Sequence, residues 1–143
     1  LAVEYARLFI VPGDSFAPYE SVYIEERLYG NASQQVEEFY QKCHIQIADE
    51  KLMPDHIGLE LDFMSYLKQK QADALENGDN DASTEWIELQ KEFMTDHLSK
   101  WAPQFFGWVE EEARHPFYKE MAKLGRQLII SEEVSIQVLD DRS

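Results

Sequence analysis

Cysteine is almost missing from this chain of 143 residues. Cys43 stands alone, so no intrachain disulfide can form, and a zinc cluster of sulfur ligands is excluded. A reducing compartment is favoured. Glycine and proline are also scarce, at six and five, which argues against a linker or a disordered tail. No run of about 18 apolar residues exists, so no membrane-inserting helix is expected. Nothing resembles a signal peptide. The chain opens at Leu1, inside a helix-like pattern, and an N-terminal portion is expected to be missing. Cations are the scarcest group relative to their opposites: 13 Lys and Arg against 28 Asp and Glu, a formal net charge of −15. Such a field repels nucleic acid and anionic membranes and attracts a cationic partner, while also serving plain solubility.

Strand-like alternation is nearly absent, and helical spacing fills most of the chain. "LAVEYARLFI" places Leu1, Tyr5, Leu8 and Phe9 on one face and stops at the turn signal "VPGD". An aromatic loop and a short helical piece follow, ending near Gly30. Asn31 or Ser33 is the expected cap of the next helix, whose inner face is Val36, Phe39, Tyr40 and Cys43. That placement predicts a buried Cys43. Pro54 suits the first position of a central helix with Ile57, Leu61, Met64 and Leu67 on its inner stripe. After a polar stretch, helix resumes at Trp86, with Ile87, Leu89, Phe93, Met94 and Leu98 inside. Pro103 and Pro116 are read as starting two more helices, the last with Phe117, Met121, Leu124 and Leu128 spaced four, three and four. "VSIQVL", within the tail 131–143, reads equally as strand, helix continuation or a loosely ordered end. The expectation is an all-α fold: one domain over 1–143, a bundle of six or seven helices.

Catalytic constellations are thin. Helical carboxylate sites for iron or manganese need paired Glu-x-x-His motifs. Glu112 and His115 form one such pair, and His56 and Glu60 lie four apart. A metalloenzyme using these four residues is the rival reading. Cys43 and His44 are adjacent, so on a helix they diverge and do not form a nucleophile–base pair. There is no phosphate-cradling glycine loop and no basic aromatic patch for nucleic acid. Two stretches remain, "PDHIG" and "FAPYESVY". Asp55 is explained by the positive start of a helix. His56 has no such explanation: the helix end disfavours its protonated form while Asp55 favours it. Tyr19, flanked by Pro18 and an acid, fits either a surface groove or packing beneath the loop.

"EYARLFIVPG", "APYESVY", "MPDHIGLELDFM", "HLSKWAPQF" and "HPFYKEMAKL", in this order, resemble the TorD/DmsD/NarJ family of molybdoenzyme maturation chaperones, also called redox enzyme maturation proteins. The resemblance runs from Leu1 to about Leu128. It implies an all-helical cytoplasmic chaperone without catalysis, cofactor or metal of its own. Its partners would be the twin-arginine type leader and the catalytic subunit of a molybdopterin oxidoreductase, held back from export while cofactor is inserted. The residues implied for peptide binding are Tyr19, Glu20, Ser21, Asp55 and His56. Leu98, Trp101 and Phe105 are implied to pack a helix junction. The fuller Glu-Pro-x-Asp-His pattern is not met, since Leu52 and Met53 stand at its first two positions. A homodimer is left open.

Overall fold

The computed structural model describes residues 2–9 and 17–142. Within them are seven α-helices: α1 (Ala2–Phe9), α2 (Glu20–Glu25), α3 (Asn31–Lys42), α4 (Ile57–Glu76), α5 (Asn80–Phe93), α6 (Ser99–Glu112) and α7 (Pro116–Arg142). A π-helical turn, Met94–Leu98, joins α5 to α6. The described residues contain no strand, only an isolated antiparallel bridge between Tyr19 and His56. The all-α expectation holds. The "VPGD" turn lies outside the described residues.

The core is aromatic and central to the stack. Phe93, Leu67, Leu98 and Trp101 are fully buried, with Phe39, Phe63 and Phe105 close to it. Phe63 meets Phe93 edge-on with ring centroids 4.8 Å apart, which joins α4 to α5. Edge-to-face rings of this kind add to area burial. Cys43 is buried as expected, and burial pushes its thiol pKa up. α1 is tied to the α6–α7 junction by Glu4, which bonds Arg7 and accepts from the backbone N–H of Arg114 at 2.6 Å. These bonds, Arg7 first, hold the Glu4 carboxyl down to about 2.

Four local expectations change. Pro54 does not begin α4. The helix starts at Ile57, capped by His56, whose Nδ1 accepts the Gly58 N–H at 2.9 Å. Pro54 instead sits in the preceding turn, where its carbonyl accepts from the Tyr40 hydroxyl at 2.8 Å. Neither Asn31 nor Ser33 caps α3. Gly30 holds that position, and the Glu25 carboxylate bonds the N–H groups of Asn31 and Ala32 at 2.9 and 2.6 Å. A Cβ at residue 30 would stand 2.5 Å from that carboxylate, so a side chain there would push the capping acid away.

Pro103 lies inside α6 rather than at its start, because the π turn carries the chain from α5 into α6 without a break. A proline there removes one helical hydrogen bond, and the wider turn just upstream is where regular geometry is already interrupted. Finally, the stripe on α7 faces outward: Phe117, Met121, Leu124 and Leu128 are 48%, 52%, 60% and 50% exposed. The buried side is Ala122, Ile129 and Ile136, seven residues apart. After Ser131 the chain continues α7 to Arg142.

Candidate functional site

Residues 17–20 and 54–57 run antiparallel and hold each other through two backbone bonds. The Ile57 N–H donates to the Pro18 carbonyl at 2.9 Å, and the Glu20 N–H donates to the Asp55 carbonyl at 3.1 Å. This exchange sets Tyr19 opposite His56. Their rings meet edge-on, with centroids 5.2 Å apart. Both side chains are half-buried, so each keeps an outward surface. The start of α4 and the start of α2 therefore form one small platform, built from residues 37 positions apart in sequence.

Asp55 is the peg beneath it. It is fully buried and does not cap its own helix. Its Oδ2 accepts the Ser21 N–H at 2.8 Å, at the start of α2, and its Oδ1 accepts the Ser33 hydroxyl at 2.9 Å, in α3. One carboxylate thus fixes three elements, and charge-assisted bonds of this type are the strong ones. Sequence reasoning assigned Asp55 to the first turn of α4. The structure moves it to cross-chain work, because the helix begins two residues later and His56 takes the capping role.

Burial lowers the His56 pKa, against the opposing pull of Asp55. The imidazole is thereby favoured neutral, which suits a ring whose Nδ1 accepts a backbone N–H.

Beneath the platform lies a second buried layer that the sequence did not reveal. His97 Nδ1 stands 2.9 Å from Oε2 of Glu20 and 3.1 Å from its Oε1, and both residues are buried. The π turn brings His97 to this inward position. Glu60, fully buried on α4, accepts from the Trp101 indole N–H through Oε1 at 3.2 Å. Its Oε2 has no partner, nor do the hydroxyls of Ser21 and Tyr23. Burial raises the Glu60 carboxyl well above the usual range, and the neighbouring Glu20 adds to this. Burial likewise raises Glu20, while His97 draws it down. A neutral Glu60 can donate as well as accept, the physical answer to a charge that cannot be solvated.

Of the five residues expected at the site, the structure assembles all. It leaves only Tyr19 and His56 partly open, while Glu20, Ser21 and Asp55 are at most 1% exposed and act from below. His97 and Ser33 were missed. One signal was available for Glu60: it falls three residues after Ile57 and four before Met64, on the inner stripe of α4. The four residues of the metal reading do not gather. His115 Nδ1 accepts the Phe117 N–H at 3.1 Å at the start of α7, and Glu60 is occupied by Trp101. Among the described residues no group of three or more His, Cys, Asp or Glu is placed to hold a metal.

Comparison with known proteins gives a consistent picture. Residues 1–107 match the family model described as nitrate reductase delta subunit. The chain is 31% identical over 132 residues to the chaperone protein TorD of Vibrio cholerae serotype O1, covering 90% of this chain and 59% of that protein. It is 31% identical over 108 residues to the chlorate reductase assembly chaperone protein of Ideonella dechloratans, covering 73% of this chain and 55% of the relative. Chaperone protein YcdY of Escherichia coli K12 is 30% identical over 130 residues, covering 90% of this chain and 61% of that protein. A crystal structure described as a putative redox enzyme maturation protein from Archaeoglobus fulgidus aligns with a TM-score of 0.54 and 29% identity, over 89% of this chain and 64% of that one. The chain spans less than two thirds of the length of these relatives. With 107 of its 143 residues matched by the family model, and with the ordered motifs from "APYESVY" to "HPFYKEMAKL", the chain belongs to the TorD/NarJ family.

Proposed function

We propose that this chain is a binding protein, not an enzyme: a maturation chaperone for a molybdopterin oxidoreductase subunit. It recognises the N-terminal, twin-arginine type leader of that subunit in the cytoplasm and holds it while the cofactor is inserted. The observation that carries this reading is the platform of Tyr19 and His56. Two half-exposed rings are fixed in mutual contact by a backbone bridge, over a scaffold of buried acids. Nothing in the core packing needs those rings to remain accessible, whereas a peptide does. Aromatic side chains with a polar edge supply contact area at low conformational cost, which is what recognition of an extended segment requires. Relatives named as chaperones of TorD type and of chlorate reductase assembly point the same way.

The test is a titration of a synthetic leader peptide against wild type, Tyr19→Ala and His56→Ala, each also followed by thermal unfolding. Both variants should bind about tenfold or more weakly, the size expected for a truncated anchor residue. His56→Ala also loses the cap of α4, which costs about 1 kcal/mol of stability. His56→Asn restores a capping side chain but removes the ring, and should recover the melting temperature without recovering affinity. If Tyr19→Ala and His56→Asn bind like wild type, the platform is structural and the reading fails.

A further inference from the structure

Among the described residues, more than half of the large apolar side chains left exposed stand on one helix, α7. Scattered singly, such residues need no explanation, but a continuous row marks a surface that something covers. The row on α7 is regular. Phe117, Met121, Leu124 and Leu128 are spaced four, three and four, and the same beat continues through Ser131 and Ser135 to Val138, all of them exposed. Alternating steps of three and four belong to a helix that pairs with another helix along its length. At about 1.5 Å per residue, the row is about 32 Å long.

Side-chain size is graded along the row. Its first half is large, from Phe117 to Leu128, and its second half holds two serines and a valine. A groove of about 380 Å³ opens beside its middle, walled by Leu61 and Met64 of α4, Met94 and Leu98 of the π turn, and Leu128 and Ile129 of α7. The residues that bury α7 against its own chain, Ala122, Ile129 and Ile136, lie on another side of the helix. The row is therefore open to a partner while α6 stays packed on α7.

We propose that this row is a self-association surface, on which α7 of a second copy lies antiparallel. The proposal is independent of the leader reading. The row fits its own reverse in size, charge and area. A two-fold axis between Leu124 and Leu128 sets Leu124 against the partner's Leu128, Met121 against the partner's Ser131 and Phe117 against the partner's Ser135. Large side chains thus meet small ones toward both ends, and leucines interlock at the centre beside the groove. A parallel pair would set Phe117 on Phe117 and Ser131 on Ser131, crowded at one end and loose at the other. The net charge of −15 opposes association in general, but the free border of the row adds no like-charge contact. Glu120 falls opposite the partner's Val134, and Gln127 opposite the partner's Gln127. Paired over its whole length, the row with its border covers on the order of 800 Å² on each copy, the per-partner size of a specific interface.

The experiment is sedimentation equilibrium of the chain from about 1 μM to about 1 mM, in about 0.15 M salt so that long-range repulsion is screened. Wild type should pass from monomer to dimer within that range. Leu124→Glu and Leu128→Lys change exposed residues, so each should stay folded by circular dichroism. Each should dimerise at least about tenfold more weakly, because a charge is then set against an apolar partner. Combined in one chain, the two charges face each other across the axis and should restore much of the dimer. For orientation, Gln127→Cys should cross-link to its own copy with a short bis-maleimide, and Phe117→Cys should not, since an antiparallel pair holds those ends apart. Cys43 is buried and stays out of the reaction. Wild type that remains monomeric throughout overturns the proposal and assigns the row to a different partner. A dimer that Leu124→Glu leaves unchanged also overturns it, because the contact then lies elsewhere. Cross-linking of Phe117→Cys in place of Gln127→Cys overturns the antiparallel arrangement.

Discussion

Glu60 shows how far a single side chain can depart from the pattern around it. It occupies an inner position of α4, between Ile57 and Met64, and it is fully buried with one oxygen bonded to Trp101 and the other unpartnered. Burial raises its carboxyl, and the nearby charges of Glu20 and Asp55 add to the shift against the indole bond. The folded state therefore holds a proton that the unfolded chain, titrating near 4.5, releases earlier. Stabilisation from the neutral form is complete below that value and is lost as pH rises through the higher folded pKa. Glu60→Gln keeps the shape and cannot ionise. Its denaturant midpoint should gain on wild type as pH rises from about 5. Parallel midpoints across that range would mean that Glu60 gains no proton affinity on folding. This was not legible in the sequence, where an acid in an apolar stripe looks like an interruption. Asp55 was visible as a polar residue of note, but its partners Ser21 and Ser33 lie 34 and 22 positions away. No local pattern links them.

The helices themselves were legible because their apolar spacing is regular and their loops are polar. α7 shows where that method breaks. The largest apolar residues of its first half, Phe117 to Leu128, form a clean stripe, and the stripe faces outward. The inner side is made of Ala122, Gly125 and Ile129, small or branched residues that let α6 approach closely. Residue size, not hydrophobicity alone, decides which face of a helix packs against its neighbour. A Cβ at Gly125 would stand 2.5 Å from the Phe106 ring. Gly125→Ala is thus expected to force that ring or the helix aside, at a cost of about 1–3 kcal/mol, as for overpacking generally. Gly107→Ala is the comparison, because a Cβ there has its nearest neighbour at 4.0 Å, the end of Arg126. If thermal unfolding finds Gly125→Ala no less stable than Gly107→Ala, the two helices are not in close contact at this point. The π turn was equally hidden: its sequence, Met94–Leu98, keeps ordinary helical spacing, and only the inward seat of His97 reveals it.

At the scale of the whole molecule, a net charge of −15 is spread over a chain with 13 cations, and the balance is uneven from place to place. Several cations pair with acids on other helices, as Lys42 does with Glu92 and Lys68 with Glu132. A net charge of this sign repels nucleic acid and attracts cationic peptides. The proposed leader site is the platform of Tyr19 and His56 at the starts of α2 and α4. The direct measurement is a titration of isotopically labelled chain with the synthetic arginine-pair leader, followed by amide chemical shifts. Shifts should concentrate at Tyr19, His56 and Gly58, with little change on the exposed stripe from Phe117 to Leu128. Shifts confined to that stripe of α7, with Tyr19 and His56 unmoved, would contradict it.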